Sequence, residues 1–460
     1  MNQAKNRIKS PFRDRAAIII AALLTVIIVL TAGVLYSCMS EKNNAEPLTK
    51  EELIAYINEH PAPKRATSVE EILVGWRMPT FTKNLLLGVE RCYNLYYYKE
   101  LPEVATLAYD TAMNFINEAY DTVNMTDPDA VAYALIDSYI AVIGDPYSYY
   151  RTAEEFEDYE TDMSGQFAGI GVSVETSLSE GGILVINAIS GSPAEKVGIK
   201  PGDRIIKVGD KIVSEIGYDV AVSLIKGEIG TIVNITVLRD GVEITYDIER
   251  ALVTENTVGY AMLEGNIAYI QITSFKANTA VQFKEAIDRA EVDGAAGIIF
   301  DVRNNPGGYL TAICNSLSYL VPTGTPIASF SSDKTEIAAS HGTQMEPVDH
   351  VLTIPSVVIC NRYTASAGEL FTAAIRDFSE MGLINAVTLG ETTYKKGVMQ
   401  STLSFENGAA LTLTTAYYNP PLGVNYDGIG VVPDVELDEE TDFIEAAYRK
   451  ILEMTESGSN

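Results

Sequence analysis

The sequence predicts an α+β or mixed α/β fold in which an N-terminal transmembrane helix and a helical region precede a strand-rich domain and a mixed-sheet core. Three features predict this order. A long apolar run lies near the N-terminus, apolar residues then recur at three- and four-residue steps, and from about residue 164 the apolar period becomes that of strands. From residue 254 onward strands and helices alternate, which is typical of a mixed α/β sheet.

The chain divides where these patterns change, and its 460 residues are enough for two or three domains with separate cores. The segments are a basic cytoplasmic segment at 1–15, a transmembrane anchor at 16–37, a tether at 38–66, a helical region at 67–163, the strand-rich domain at 164–252, the mixed-sheet core at 253–445 and a C-terminal tail at 446–460.

The composition excludes several classes of function. The chain has 33 basic and 62 acidic residues and a net charge of −29, which repels the phosphate backbone of nucleic acids. Its four cysteines show no C-x-x-C spacing, and it has only three histidines. We therefore expect no nucleic-acid partner, no disulfide framework, no metal site and no cofactor. The sequence leaves the oligomeric state open, including a homo-oligomer.

The N-terminus combines positive charge with an apolar run. Basic residues occur at Lys5, Arg7, Lys9, Arg13 and Arg15. The run from Ala16 to Tyr36 has about 21 residues, enough at about 1.5 Å each to span a hydrocarbon core of about 30 Å. This predicts a single pass through a bacterial-type cell membrane, with the N-terminus cytoplasmic and the bulk of the chain outside. Cleavage as a signal peptide is the alternative, with lipidation at Cys38 in a loosely lipobox-like stretch.

Short-range patterns predict the elements before the mixed-sheet core. The tether contains one short helix, Lys50–Glu59, and the helices of the next region end in a turn at 143–150, which reads Ile-Gly-Asp-Pro-Tyr-Ser-Tyr-Tyr. Period-two apolar runs then predict strands. These lie at Phe167–Val174, Gly182–Ile189, Thr231–Arg239 and Val242–Ile248, with short helices near Ser192 and at Val220–Lys226.

The loop Gly169-Ile170-Gly171-Val172 distinguishes the strand-rich domain. It is not a dinucleotide-binding fingerprint, because it lacks a third glycine and opens no helix. Together with Ser192-Pro-Ala further along, it resembles the carboxylate-binding loop of a bacterial PDZ domain. The resemblance implies that backbone N–H groups of this loop bind the C-terminal carboxylate of a peptide, which adds to the domain as a β-strand. A scaffold domain without a ligand is the alternative.

In the mixed-sheet core, a buried strand at Gly297–Asp301 runs into Asp301-Val-Arg-Asn-Asn-Pro-Gly-Gly308. A Pro-Gly-Gly bend exposes consecutive backbone N–H groups at the carboxyl end of a strand, where open α/β sheets commonly bind ligands. Such a bend could hold an oxyanion; taken alone it is more simply an ordinary tight turn.

A second stretch places a serine where a nucleophile is commonly found. The strand Ser356–Cys360 is followed by Ser366 among small residues, at the start of an amphipathic helix over Glu369–Phe378. The N-terminus of a helix supplies backbone N–H donors beside an exposed hydroxyl. The simpler interpretation of an isolated Thr-Ala-Ser-Ala sequence is a helix cap.

Lys396 lies in Tyr394-Lys-Lys-Gly397 and could serve as the base for Ser366. At a pKa of about 10.4 only roughly one lysine in 2,500 is neutral at pH 7, but burial among apolar neighbours can lower the pKa by several units. Ser366 and a desolvated Lys396 would then form a Ser–Lys dyad. His341 and His350 are rival bases, although neither lies in a recognisable motif.

Together these stretches resemble the carboxyl-terminal processing proteases, also called tail-specific proteases. The resemblance covers nearly all of the chain after the anchor. It rests on Gly144-Asp-Pro-Tyr-Ser-Tyr-Tyr150, Tyr269-Ile-Gln-Ile-Thr-Ser-Phe275, Asp301-Val-Arg-Asn-Asn-Pro-Gly-Gly308, Thr364-Ala-Ser-Ala-x-Glu369, Tyr394-x-Lys-Gly-x-x-Gln400, Leu413-Thr-Thr-Ala-Tyr-Tyr418 and Gly430-Val-Val-Pro-Asp-Val-Glu436.

The resemblance implies a role for individual residues. Ser366 is the nucleophile, Lys396 the general base and Gln400 the residue that orients the lysine. The Ala367 amide and a Gly307 or Gly308 amide form the oxyanion hole.

The chain also departs from the family pattern. Lys395 replaces the usual Gly, Gly368 stands where the family often has Ser, and the segment between Ser366 and Lys396 is about five residues longer than usual. The doubled lysine leaves open which one acts.

The function implied is that of a membrane-anchored, extracytoplasmic serine endopeptidase. It would cleave proteins or peptides recognised by their C-terminal tails, through a Ser–Lys dyad gated by the PDZ domain. The alternative from another class is a catalytically silent, membrane-anchored PDZ adaptor that binds protein C-termini.

Overall fold

A computed structural model describes residues 48–59, 68–69, 80–177, 182–333, 336–340, 350–438 and 440–457. The predicted anchor at 16–37 and Cys38 lie outside these ranges. Within the described ranges, no helix combines the length and the apolar character that crossing a membrane requires. The chain forms two compact units: the first includes residues up to 157, 331–337 and 398–417, and the second includes 158–330, 338–397 and 418–460.

Helices predominate before residue 149, and strands and helices are mixed in the rest of the described chain. The helices are α1 (Lys50–Glu59), α2 (Thr80–Tyr96), α3 (Val104–Asn114), α4 (Pro128–Ile143), α5 (Ala153–Met163), α6 (Pro193–Val197), α7 (Val213–Ile216), α8 (Tyr218–Ile225), α9 (Thr279–Val292), α10 (Leu310–Ser318), α11 (Ala367–Glu380) and α12 (Phe443–Ser457). The strands are β1 (Tyr149–Arg151), β2 (Gln166–Gly169), β3 (Val172–Ser177), β4 (Gly182–Ala188), β5 (Arg204–Val208), β6 (Lys211–Ile212), β7 (Ile232–Arg239), β8 (Val242–Glu249), β9 (Ala251–Thr254), β10 (Val258–Leu263), β11 (Ile267–Ile272), β12 (Gly297–Asp301), β13 (Ala328–Ser331), β14 (Glu336–Ser340), β15 (Ser356–Cys360), β16 (Ala386–Gly390), β17 (Val398–Ser404), β18 (Ala410–Asn419) and β19 (Val435–Glu436).

The first unit is built on a cluster of buried apolar and aromatic side chains from α2, α3 and α4. Its largest members include Leu86, Tyr93, Phe115 and Tyr139. The predicted turn after α4 is present, because Gly144 ends the helix with a left-handed φ of 74°. In the same unit, β18 pairs antiparallel with both β1 and β17.

The strand-rich domain lies within the second unit and forms a sheet in the order β3-β4-β5-β7-β8, with β6 paired to β5. Its buried cluster joins this sheet to α8 through side chains such as Ile205, Ile235 and Ala221. The single strand predicted over Phe167–Val174 is wrong: the structure has two strands. Strand β2 pairs with β9, and β3 pairs with β4, because Gly171 has a φ of 77° and turns the chain between them.

The mixed-sheet core has the strand order β10-β11-β12-β15-β16-β19, in which β11 to β19 are parallel and β10 is antiparallel. Strands β12 and β15 are buried along their whole length, as expected for parallel strands covered on both faces. On one face, Phe371 of α11 packs 5.6 Å from Phe300 of β12 between ring centroids. This contact seats α11 on the sheet.

The other face of the sheet is covered by α12, which differs from the sequence expectation of a tail at 446–460. Ala447 and Ile451 of this helix are fully buried against sheet residues such as Ile299 and Val357. A Cβ added to Gly297 would lie 2.2 Å from Ile451 Cγ2. The helix is therefore part of the mixed-sheet core. The predicted mixed α/β architecture is confirmed.

The two ends of the strand-rich domain are fixed to the segment that follows β11. The Asn278 side chain donates to the carbonyls of Gly165 and Glu255, which lie just outside the paired strands β2 and β9. Lys276 Nζ lies 2.8 Å from carboxylate oxygens of both Asp162 and Glu255. These contacts hold both chain ends of the domain on one short stretch of the mixed-sheet core.

Candidate active site

The turn after β15 holds Ser366 in an unusual backbone conformation, with a φ of 53° and a ψ of −117°. Residues other than glycine rarely adopt positive φ, and they keep it only where surrounding contacts impose it. Here Thr364 anchors the turn by donating from Oγ1 to the Val302 carbonyl at 2.8 Å. Helix α11 begins directly after Ser366, so the predicted serine at a helix start is confirmed.

The predicted Pro-Gly-Gly bend lies against this turn. A Cβ added to Gly307 would be 2.7 Å from Ser366 Cβ and 2.9 Å from the Ala367 nitrogen. Both Gly307 and Gly308 have positive φ, at 101° and 144°. Only glycine fits at such a close approach of two backbones. The structure therefore brings the two predicted loops, 301–308 and 361–366, to one place.

The backbone amides of this region differ in what they bind. The Gly307 amide donates to Asn305 Oδ1 at 2.8 Å. In the part of the chain that the structure describes, the Gly308 and Ala367 amides have no acceptor. Asn305 is itself fixed, because its Nδ2 donates to the Ile272 carbonyl at 2.8 Å. Gly308 and Ala367 thus have N–H groups available for a ligand, whereas Gly307 does not.

Asp301 supports the base of the Pro-Gly-Gly loop and is 1% exposed. Its carboxylate accepts hydrogen bonds from Tyr269 Oη at 2.5 Å and from the Arg303 guanidinium at 2.7 Å. It also accepts from the Arg303 amide at 3.0 Å. A buried carboxylate with this many donors fixes the first residues of the loop.

Glu369 connects the serine turn to the segment that carries the lysines. Its side chain is fully buried. Oε2 accepts from the amides of Ser366 at 2.9 Å and Lys396 at 2.8 Å. Oε1 accepts from Thr393 Oγ1 at 2.6 Å and from the Lys395 amide at 2.7 Å. Burial raises the pKa of the Glu369 carboxyl, and these four hydrogen bonds oppose the shift.

The contacts of Glu369 were not identified from the sequence. A glutamate three residues after a helix-capping serine is the capping-box pattern, which would have indicated the contact with the Ser366 amide. Nothing in the pattern indicates the contacts with residues 393–396, which are 24 to 27 residues away in the chain.

Tyr418 also touches both catalytic candidates and was not identified from the sequence. Its hydroxyl donates to the Lys396 carbonyl at 2.9 Å. Burial raises the pKa of Tyr418, while a hydrogen bond with the Ser366 side chain opposes the shift. One buried tyrosine is therefore hydrogen-bonded to the backbone of Lys396 and lies near the Ser366 side chain.

The Gly169–Val172 loop of the strand-rich domain has its carbonyls bound and amides available. The Ile170 carbonyl accepts from the Ala194 amide at 2.8 Å, and the Gly171 carbonyl accepts from the Ile189 amide at 2.9 Å. Among the described residues no acceptor lies on the Ile170 or Gly171 amides. The next strand, β3, is at the edge of its sheet as described, so a peptide strand has room to pair with it.

Comparison with known proteins identifies both regions. A family model for PDZ domains matches residues 168–249, and the model for peptidase family S41 matches residues 266–437. The carboxy-terminal processing protease CtpA of Bacillus subtilis (strain 168) is 35% identical over 337 residues, which cover 72% of this chain and 70% of that protein. The chain belongs to peptidase family S41.

Two further similar proteins are a curated relative and a solved structure. A probable CtpA-like serine protease of Staphylococcus aureus (strain N315) is 32% identical over 333 residues, covering 71% of this chain and 65% of that protein. The solved structure of a photosystem II D1 C-terminal processing protease is 26% identical, with a TM-score of 0.44, and the match covers 79% of this chain and 96% of that one. The predicted serine peptidase with a PDZ domain is confirmed, which removes the support for a silent adaptor.

In this S41 peptidase the two adjacent lysines differ in conformation. Lys395 is exposed and has a φ of 88°, whereas Lys396 is partly buried. Glycine, which the family usually has at position 395, adopts such a φ without strain. The family pattern at this position therefore has a backbone cause.

The other predicted residues stand as follows. Gln400 lies on β17 in the first unit, where its Nε2 is 3.3 Å from Thr414 Oγ1, and its action on Lys396 stays a prediction. His350 contacts the Tyr319 carbonyl and the Glu291 carboxylate, and its ring stacks on that of Tyr319. His341 lies outside the described residues. Within the described ranges, no group of three or more His, Cys, Asp and Glu residues could hold a metal ion.

The Glu369 contacts generate a prediction. Glu369→Gln leaves one acceptor oxygen and turns an NH₂ group toward N–H donors, so the serine turn and the lysine segment separate. We expect kcat on a peptide substrate to fall by roughly tenfold to a hundredfold, with a smaller change in KM.

The matched control is Glu391→Gln, which alters the ion pair with Arg362 on the surface of the same region. Steady-state kinetics of both variants, with circular dichroism to verify folding, provide the measurement. Equal losses in the two variants would contradict the role of Glu369.

Proposed function

We propose that the chain is a membrane-anchored, extracytoplasmic endopeptidase in which Ser366 is the nucleophile and Lys396 the general base. The observation that carries the proposal is the Glu369 carboxylate, which accepts hydrogen bonds from the amides of both residues. One side chain thereby fixes the nucleophile and the base on neighbouring segments. The positive φ of Ser366 adds support, since nucleophiles commonly occupy strained turns at the start of a helix.

In the first half of the reaction, neutral Lys396 accepts the proton of the Ser366 hydroxyl as Oγ attacks the carbonyl carbon of the substrate. The carbonyl oxygen becomes an oxyanion. When the tetrahedral intermediate collapses, the C–N bond breaks and the Lys396 ammonium protonates the departing amine. In the second half, Lys396 accepts a proton from water as the water attacks the acyl-enzyme, and it returns that proton to Ser366.

The oxyanion binds the amides of Ala367 and Gly308. Both are free of other acceptors among the described residues, whereas the Gly307 amide is donated to Asn305. The Ala367 amide also lies at the N-terminus of α11, where the helix dipole favours negative charge. Gly307 contributes differently, by allowing the loop to approach the Ser366 turn.

The PDZ domain binds the C-terminal tail of a protein or peptide substrate and gates its delivery to Ser366. The terminal carboxylate is held by amides of the Gly169–Val172 loop, and the tail pairs with the edge strand β3. Two apolar side chains of α8, Val220 and Leu224, are 51% and 40% exposed and supply contacts for the side chains of the tail.

The membrane anchor is proposed from the sequence of residues 16–37 and its basic N-terminal flank. The catalytic part then lies outside the cytoplasm, attached by the tether that follows.

Substitution of the dyad tests the mechanism. We expect Ser366→Ala and Lys396→Ala each to lower kcat by at least about a thousandfold on an unstructured protein substrate, because each removes a group that acts in every turnover. Lys395→Ala should retain measurable cleavage. Loss of activity in Lys395→Ala together with retention in Lys396→Ala would move the base by one residue. Labelling of Ser366 by a serine-reactive phosphonate reports the nucleophile independently.

A substitution in the PDZ loop tests tail binding. Gly171→Ala places a Cβ 2.4 Å from Ser192 Cβ at a φ of 77°, so the loop must move. We expect at least about tenfold weaker binding of a fluorescent peptide with a free C-terminus, measured by anisotropy. Gly241→Ala is the matched control, since that glycine has a φ of 79° but its added Cβ meets nothing. Equal affinity of the two variants would oppose this role for the loop.

Membrane fractionation tests the anchor. The full chain should remain in membranes washed with alkaline carbonate and be released by detergent, because a spanning apolar helix is held by the hydrocarbon core. Deletion of residues 16–37 should release it without detergent. Cys38→Ser distinguishes lipidation, because a chain held only by lipid at Cys38 would be released by that substitution. A full chain in the soluble fraction would contradict the proposal.

A further inference from the structure

Lys395 combines an unfavourable backbone conformation with a fixed position. Its φ of 88° lies in the region that side-chain-bearing residues rarely adopt. The conformation is imposed from both sides, because its amide donates to Glu369 Oε1 at 2.7 Å and its carbonyl accepts from the Gly428 amide at 2.9 Å. Glycine would meet both hydrogen bonds without strain. The lysine side chain is therefore retained at a cost to stability.

Within the described structure, no ion pair of the Lys395 side chain offsets this loss of stability. Its Cγ lies 3.3 Å from a Cβ built on Gly430, so the aliphatic stem rests on that glycine. No carboxylate of the described residues lies within ion-pair distance of its ammonium group. The two acidic groups bonded to this segment are otherwise engaged. Glu369 is buried under four donors, and an Asp427 oxygen accepts from the Gly397 amide at 3.0 Å.

The position of this cation is close to the proposed reaction. Lys395 and Ser366 donate their amides to the two oxygens of one carboxylate. The preceding residue, Tyr394, donates its amide to the Thr364 carbonyl at 3.0 Å, two residues before the serine. The exposed Lys395 side chain therefore belongs to a segment that is hydrogen-bonded to the Ser366 turn, both directly and through Glu369.

Exposed apolar side chains surround the same position. Tyr394 is 54% exposed, and Ile429 and Val432 on the adjoining segment are 64% and 46% exposed. That segment is bound to the lysine segment by the Val431 amide, which donates to Thr393 Oγ1 at 2.8 Å. An apolar surface around one cation fits a polypeptide that presents a carboxylate between apolar residues.

The positive charge of Lys395 is opposite in sign to the net charge of the chain. With 62 acidic and 33 basic residues, the average field of the protein repels acidic substrates. Lys395, which has no ion pair among the described residues, places a positive charge on a segment bound to the Ser366 turn. Strain at a functional site combined with an unpaired charge indicates a ligand of opposite charge.

We propose that Lys395 binds a carboxylate of the polypeptide substrate beside the bond that is cleaved. It thereby selects cleavage sites next to an Asp or Glu side chain, or next to the free C-terminus of the substrate. The inference rests on the proposed function, in which Ser366 performs the cleavage. The lysine acts on substrate selection and takes no part in proton transfer.

The test compares peptides that differ only by Glu or Gln at single positions on either side of the cleaved bond. For the wild-type enzyme we expect kcat/KM to favour the Glu peptide by about threefold to tenfold at one or more positions, and less at high salt. The preference should vanish in Lys395→Gln, persist in Lys395→Arg and reverse in Lys395→Glu. Lys450→Gln changes a half-buried lysine on α12 that pairs with Glu453; it is the matched control and should keep the preference.

A second pair of peptides separates the two sources of the carboxylate. If Lys395 binds the free C-terminus, the wild-type enzyme cleaves the free acid faster than the amidated peptide, and Lys395→Gln reduces that rate ratio. If a side chain is bound, the Lys395→Gln substitution alters only the Glu-to-Gln ratio. A difference between free and amidated peptides that is the same in both enzymes reports tail binding by the PDZ domain and does not count for Lys395.

Two results overturn the proposal. If Lys395→Gln changes neither the Glu-to-Gln ratio nor the ratio of free to amidated peptide, Lys395 does not bind a carboxylate of the substrate. Loss of cleavage of both peptides in Lys395→Gln, with Ser366 still labelled by phosphonate in the wild type, makes Lys395 the base. Failure of the proposed function gives a different result: the wild type would then show neither cleavage nor labelling at Ser366. The inference about Lys395 would then also be wrong.

Discussion

The proposed active site depends on one buried carboxylate, that of Glu369. Burying the Glu369 charge is unfavourable by itself, but four donors reach it, and hydrogen bonds to a charged group contribute about 1.5–3 kcal/mol each. Without Glu369, three backbone amides and one hydroxyl would lose their hydrogen-bond acceptor. The serine turn and the lysine segment are thus positioned by an interaction that neither could replace locally. The positive φ of both Ser366 and Lys395 persists because their amides are held by this group.

The parallel sheet determines which loops can meet this carboxylate. Strands β12 and β15 are adjacent and parallel, with Asp301 opposite Ile359, so the loops that follow them leave the sheet at the same edge. Phe371 then fixes α11 against β12, which orients the helix N-terminus toward the 301–308 loop. This part of the site could be predicted from the sequence, because it needs only strand ends and the small residues that follow them.

Other parts could not be predicted, for physical reasons that differ. The contacts of Glu369 and Tyr418 join residues more than twenty positions apart, and no periodicity marks such pairs. The strand predicted over 167–174 failed because its apolar pattern continues across Gly171, while only the backbone shows the turn there. Helix α12 is different. Phe443, Ala447 and Ile451 recur at four-residue steps, so its sequence carried a helical signal in the region assigned to a tail.

The contacts that support the 301–308 loop also join the PDZ domain to the proposed catalytic residues. Phe275 donates its amide to the Gly307 carbonyl at 2.8 Å and accepts from the Tyr309 amide at 2.7 Å, so it clamps the loop on both sides of Gly308. A Cβ on Gly308 would lie 2.2 Å from the Phe275 carbonyl oxygen, so the two backbones pack directly against each other. The residues directly after Phe275 hold both ends of the PDZ domain through Lys276 and Asn278. The PDZ domain is therefore attached to the same short segment that positions the Gly308 amide.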